Sequence, residues 1–334
     1  MKRIAVLSTG GTIASVPGNE GRAVAGALPG EALISKTELR DGIQVEVESV
    51  FQKASNAIGP VEWNTLAEKC QALAQSGNFH GIVITHGTDT LEDTAFYLHC
   101  VLDTEQVPVV VTGSQRVPHA VGSDAYANLR DAIVLAASAE ARGLGVLVAF
   151  NQSIFSAGFV RKTSSFQLNG FDVPGLGPLG MLDEGVFHLL QRPRMLARLP
   201  IPEQTLPRVD ILPGYGGADA AVAQAVVDSG PAALVIDGLG RGQVPLAWLP
   251  VLREAIARGV VVGICSTTLH GATHESYEYP GALHEMVESG AIAISHLSAR
   301  KARIRLALSI AARGADISSV AADFDWQFAG IQLS

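Results

Sequence analysis

The sequence predicts an α/β protein in two successive units, and three observations carry that expectation. Short Val- and Ile-rich runs alternate with helix-length amphipathic segments from residue 4 to about 150. A second series of the same kind runs from residue 209 to about 324. Between them, residues 191–208 hold Pro193, Pro200, Pro202 and Pro207. Proline at that density resists regular structure and reads as an extended linker. The expected domains are residues 1–190 and 209–334, joined by 191–208.

In the first series the strands are expected at 4–8, 45–50, 81–85, 108–112 and 145–150. These runs carry almost no polar alternation, as in strands buried on both faces of a mainly parallel sheet. The helices between them are expected near 60–76, 91–101 and 125–139. The second series predicts strands at 209–212, 232–237, 259–265 and 291–296. Its helices fall near 218–228, 250–257, 299–312 and 317–324. In open parallel sheets ligands bind beyond the carboxyl ends of strands, so the loops after each strand are the places to search.

Composition narrows the function. Hydrophobic residues make up 48% of the 334 and charged residues 17%, which leaves little room for disorder. The formal net charge of −8, with Lys and Arg scattered, argues against a nucleic-acid partner. No apolar stretch approaches the roughly 18–20 residues needed to span a bilayer. A strand is already expected at 4–8, which leaves no space for a signal peptide. A cytoplasmic protein is therefore expected, with a periplasmic one the alternative if a leader has been removed. Cys70, Cys100 and Cys265 are too few and too dispersed for a disulfide framework or a zinc site and read as buried hydrophobes.

Two loops stand out. Ser8-Thr9-Gly10-Gly11-Thr12-Ile13 follows the first strand. Paired glycines let the backbone turn sharply. A threonine hydroxyl on such a turn can attack a carbonyl if a base takes its proton. Taken alone, an ordinary tight turn explains it as well. The second loop is Thr85-His86-Gly87-Thr88-Asp89-Thr90-Leu91-Glu92-Asp93. Asp89 fits a helix N-cap, with Glu92 and Asp93 as first-turn acids. Backbone N–H groups at Gly87-Thr88 suit a developing oxyanion. His86 has no visible partner and is read as structural. Two hydroxyl-bearing turns beside a carboxylate suggest acyl transfer without a histidine. A lysine held neutral by its surroundings can act as the base. Spacing alone does not choose which.

Both loops resemble the two signature motifs of the bacterial-type L-asparaginase/glutaminase family, and the resemblance runs from Arg3 to about Phe324. It implies a larger flavodoxin-like N-terminal domain and a smaller Rossmann-like C-terminal one. It implies L-asparagine hydrolysis to L-aspartate and ammonia through an acyl-enzyme on Thr12. Thr88 then helps activate the nucleophile or the water, and Asp89 binds the substrate α-ammonium. The family's catalytic lysine matches Lys162 in Gly158-Phe159-Val160-Arg161-Lys162-Thr163. Its carboxylate-gripping serine matches Ser55 in Lys53-Ala54-Ser55-Asn56-Ala57, with Asn56 at a neighbouring binding position. Gly87 and Ser114, the latter in Thr112-Gly113-Ser114-Gln115, match the substrate pocket. Glu278 matches an acid that reaches a neighbouring subunit's site.

The resemblance further implies a homotetramer built as a dimer of dimers, with no metal and no organic cofactor. Some periplasmic members carry a disulfide whose positions fall near Ser76 and Glu105 here, and its absence fits the cytoplasm. Two departures stand out. Members usually carry a tyrosine in the mobile lid after the first motif. Here Gly21-Arg22-Ala23-Val24-Ala25-Gly26 has none, and Ala23 takes the position. Tyr277 or Tyr279 from a neighbouring subunit is the candidate replacement. Gln243 stands where many members carry asparagine. Broader activity toward glutamine, and an amino-acid-binding relative weakened in catalysis, are the rival functions.

Two decoys are set aside. Gly175-x-Gly177-x-x-Gly180 fits a dinucleotide fingerprint but contains Pro178 and opens no helix. His270, His274 and Glu275 hint at metal ligands, but in the wrong order for a zincin.

Overall fold

The computed structural model describes residues 1–19 and 22–328, and the chain divides into two compact units, Met1–Ile201 and Pro202–Trp326. The first is built on an eight-stranded sheet. Its parallel part comprises β1 (Lys2–Gly10), β2 (Ile43–Lys53), β3 (Gly81–Thr85), β4 (Val109–Thr112) and β5 (Leu147–Phe150). Their helices are α1 (Pro60–Gln75), α2 (Leu91–Val101) and α3 (Ala125–Ala136). The parallel strands lie in the order β2-β1-β3-β4-β5. Ile4 of β1 pairs with Val45 on one side and Gly81 on the other. The order reverses between β1 and β3, so the loops that follow these two strands open a crevice there.

Every residue of β3, β4 and β5 is buried, which is why these strands read as unbroken apolar runs. β2 is different: its burial alternates, because it is the edge strand and shows one face to water. α1 buries Trp63, Leu66, Ala67 and Cys70, a helical stripe. α2 is buried along its whole length.

The sheet is less parallel than expected. After β5 the chain reverses through Asn151 (φ 49°) and Gln152 (φ 64°). Two positive φ angles in a two-residue loop give the tight hairpin turn that suits twisted strands. β6 (Ser153–Ser156) therefore returns antiparallel, with Phe150 opposite Ser153. β7 (Gly180–Asp183) and β8 (Val186–Leu189) extend the sheet in the same antiparallel manner. Gly180 of the apparent dinucleotide motif opens β7, and no helix follows it.

The second unit has a four-stranded parallel sheet of β9 (Val209–Pro213), β10 (Ala233–Gly238), β11 (Val261–Ser266) and β12 (Ile292–Ala293), in that order. α4 (Ala220–Asp228), α5 (Leu249–Ala257), α6 (Ala299–Arg313) and α7 (Ile317–Ala322) accompany it. α6 and α7 are tied by Asp323. Its carboxylate accepts from Arg313 at 2.7 and 2.8 Å and from Ser309 at 2.5 Å. Burial alone would raise this carboxyl, but these bonds and the charges of Arg305 and Arg313 outweigh it and hold it low. The stretch before this unit carries one three-residue strand, Arg194–Leu196. Among the described residues no helix is long and apolar enough to cross a membrane.

A buried network fixes the loop after β3. Trp63 Nε1 of α1 donates to Thr94 Oγ1 of α2 at 3.0 Å, and Thr94 Oγ1 lies 2.9 Å from His86 Nε2. His86 Nδ1 lies 2.8 Å from Gly87 O. An indole N–H only donates and a carbonyl only accepts. A neutral His86 must therefore carry its proton on Nδ1, and the Thr94 hydroxyl must donate to Nε2. The imidazole is fully buried, and burial is the main reason its pKa falls from 6.5 to about 4.

The consequence is a pH-dependent stability. Between pH 6.5 and about 4 the unfolded chain binds a proton at His86 that the folded chain refuses. The contribution is complete above pH 6.5 and is lost as pH falls toward 4. It is worth on the order of 3 kcal/mol. Denaturant titrations of wild type and His86→Gln across this window check it. The variant is expected to be weaker at pH 7 but to lose less on acidification; equal losses would exclude His86 as the source.

Candidate active site

The site is organised by an approach of two backbones. Gly11 has φ 77°, and a Cβ placed on it would lie 2.3 Å from Gly87 Cα. A Cβ on Gly87 would lie 2.8 Å from both Cβ and Oγ of Ser55. No side chain fits at either glycine, so the loops after β1, β2 and β3 meet in direct contact. Gly11 N–H also donates to Lys53 O at 3.0 Å. Thr12, Ser55 and Thr88 each occupy or adjoin one of these contact points. Thr12 opens a short 3-10 turn, Thr12–Ala14, and is half-buried.

Thr88 is buried beside Gly87, and its Oγ1 accepts from Lys162 Nζ at 2.8 Å. Asp89 Oδ1 accepts from the same Nζ at 2.6 Å. The lysine side chain is 16% exposed and the aspartate 72%. Asp89 does not cap α2, as its sequence position suggested. Thr90 takes the N-cap position one residue later, and its hydroxyl donates to Ser55 O at 2.6 Å. The Asp89 side chain is thereby left largely exposed while paired with Lys162.

Lys162 sits on a two-residue strand, Arg161–Lys162, paired with Phe171–Asp172. Its backbone N–H donates to Glu92 Oε2 at 2.6 Å. This contact was missed in the sequence. Glu92 looked like an ordinary first-turn acid, and its partner lies 70 positions away.

Ser55 is 5% exposed, and Asn56 beside it is exposed. Ser114 is fully buried, and its Oγ donates to Arg116 O at 2.7 Å. Asp124 shapes that turn by accepting from the N–H groups of Gln115 and Arg116 at 2.9 and 3.0 Å. Asn128 Nδ2 holds Gly113 O at 2.9 Å. Backbone ties the turn to the second motif, since His86 N donates to Thr112 O at 2.8 Å.

The segment after the first motif, where the resemblance places a lid, is a hairpin of Val16–Pro17 with Ala23–Val24, and residues 20 and 21 lie outside the described set. Gly26 N–H returns to Gly11 O at 3.4 Å. Ala23 is exposed and brings no hydroxyl.

Glu278 lies on the second unit in an exposed, irregular stretch that also carries Tyr277 and Tyr279, whose rings are 5.5 Å apart. Nearby, Glu275 faces His284 Nδ1 at 3.1 Å. That bond, with the charge of Glu288, raises the His284 pKa. Gln243 Oε1 accepts from Arg241 N at 2.8 Å and closes its own turn.

Both units resemble known proteins. The family descriptions "Asparaginase, N-terminal" and "Glutaminase/Asparaginase C-terminal domain" match residues 3–195 and 208–324. An L-asparaginase of Bacillus licheniformis is 38% identical over 312 residues, covering 93% of this chain and 96% of the relative. A glutaminase-asparaginase of Pseudomonas aeruginosa is 32% identical, covering 93% and 86%. A solved structure, a probable cytoplasmic L-asparaginase from Campylobacter jejuni, superimposes with a TM-score of 0.87 at 30% identity. It covers 97% of this chain and 99% of its own. The chain belongs to the bacterial-type L-asparaginase/glutaminase family of amide hydrolases.

Proposed function

We propose that this amide hydrolase converts L-asparagine to L-aspartate and ammonia through an acyl-enzyme on Thr12. The observation that carries this is the contact of Lys162 Nζ with Thr88 at 2.8 Å and Asp89 at 2.6 Å, on the loop packed against the Thr12 turn.

The chemistry follows from these positions. Asp89 presents a carboxylate suited to the substrate α-ammonium, and the buried Ser55 hydroxyl suits the α-carboxylate. Asn56 lies beside Ser55 as a further contact. Gly87 contributes backbone, and the Ser114 turn lines the side-chain amide. A substrate ammonium competes with Lys162 for Asp89. Lys162, displaced from Asp89, gives one ammonium proton to water; the neutral amine then accepts the Thr88 proton, and Thr88 takes one from Thr12 or, later, from the attacking water. The Thr12 oxygen bonds to the amide carbon, the C–N bond breaks, and the proton leaves with the nitrogen as ammonia. Water then adds to the ester, and L-aspartate departs as Thr12 regains its proton.

Homotetrameric assembly, with Glu278 reaching a neighbouring subunit's site, is part of the same proposal. So is a cytoplasmic setting, which fits three buried free thiols. Ala23 leaves the lid without a hydroxyl, and Tyr277 or Tyr279 of a neighbouring subunit is its replacement in this scheme.

Four substitutions test the assignments. Thr12→Ala is expected to lower ammonia release from L-asparagine by at least about 1,000-fold. L-aspartate binding, followed by calorimetry, should survive. Wild-type release by this variant would refute the nucleophile. Parallel rates on L-glutamine read the rival specificity, since one methylene is worth about 1–3 kcal/mol in a pocket. Lys162→Met is expected to cut kcat by about 10²–10⁴-fold with little change in KM. A loss confined to KM would make Lys162 a binding residue instead. Tyr277→Phe or Tyr279→Phe should slow turnover; wild-type rates in both would remove them from the mechanism.

A further inference from the structure

The tip of Lys162 is held by Thr88 and Asp89, but where the tip lies depends on the backbone that carries it. That backbone is the two-residue strand Arg161–Lys162 with its partner Phe171–Asp172. A two-stranded ribbon is at best marginally stable alone in water. Two side chains grip it, one from the first turn of α2 and one from the loop after β4.

Glu92 is 3% exposed, and its carboxylate accepts the Lys162 backbone N–H at 2.6 Å. A charged acceptor makes such a bond roughly twice as strong as a neutral one. Glu92 occupies the first turn of α2, where the helix dipole favours a carboxylate. Residues 88, 89 and 92 therefore hold both ends of one lysine. On the other side, Gln115 Nε2 donates to Ser164 O at 3.1 Å. The same amide lies over Gly170, where an added Cβ would sit 2.0 Å from Nε2. Gly170 O accepts from Thr163 N at 2.8 Å, closing the ribbon.

We propose that Glu92 and Gln115 are positioning residues that clamp the Lys162 ribbon from the first turn of α2 and the loop after β4. This rests on Lys162 being the proton-transfer group. Neither side chain need touch a reacting atom. Together they set the approach of Nζ to Thr88, and a misplacement near 1 Å costs about 100-fold in rate.

The test is steady-state ammonia release from L-asparagine, with thermal melting of each variant. Glu92→Ala is expected to lower kcat by about 100-fold with KM little changed. Glu92→Gln keeps a carbonyl oxygen and should recover most of that loss. Gln115→Ala, at a half-buried position, should give the same kcat-selective loss, so the test does not depend on Glu92→Ala folding. In a Lys162→Met background neither alanine substitution should cost anything further, because each acts through the lysine. Wild-type kcat in Glu92→Ala or Gln115→Ala overturns the clamp. So does an undiminished further loss in the Lys162→Met background. Should Lys162→Met itself keep the wild-type rate, the lysine assignment has failed, and the clamp falls with it.

Discussion

The site depends on one steric constraint, the approach of Gly11 to Gly87 at the crevice between β1 and β3. A Cβ on Gly11 would stand 2.3 Å from Gly87 Cα, well inside any tolerable contact. Ser55 closes the same contact from the β2 side. Three loops that begin on three strands are thus brought to one point by residues with almost no side chain. The hydroxyls they carry then need no long reach. The strand order makes the meeting possible, because it reverses between β1 and β3.

Electrostatics is arranged differently in the two units. In the second, Asp323 is 3% exposed and multiply bonded, so its carboxylate serves cohesion. At the active site Asp89 is 72% exposed despite its pairing with Lys162. An ion pair with one partner so exposed contributes little to stability. In the proposed reaction its value lies in being exchangeable: a carboxylate that water reaches is open to a substrate ammonium, and the lysine is already in contact with Thr88.

Much of the fold was legible because strands buried on both faces announce themselves as apolar runs. β3 and α2 fall at the expected residues, and β1, β4 and β5 nearly so. The antiparallel extension was not legible. Its first turn is Asn151-Gln152, which lacks the glycine that marks such hairpins in a sequence. At the site, the two motif loops were visible as unusual segments, and Lys162 came from resemblance, since nothing in its spacing points to Thr88. The bland account of Asp89 as a helix cap failed by one residue, because Thr90 took that place. Glu92 was hidden for the opposite reason: its helix-terminal position explained it too well.

In the proposed reaction, the hairpin after the first motif sharpens why the lysine is held so firmly. Ala23 supplies no hydroxyl where the resemblance places a tyrosine. Within this subunit, Thr88 and Lys162 then serve both halves of the proposed reaction, first on Thr12 and afterwards on water. The two oxygens arrive at different moments but must be met by the same hydroxyl. A relay with two tasks cannot follow each substrate oxygen by swinging, because proton transfer requires hydrogen-bond distance at every step. A lysine anchored at its backbone as well as its tip meets that demand. Fixing it on a ribbon bonded to the first turn of α2 and the loop after β4 ties its position to the same strand ends that present Thr88 and the Ser114 turn.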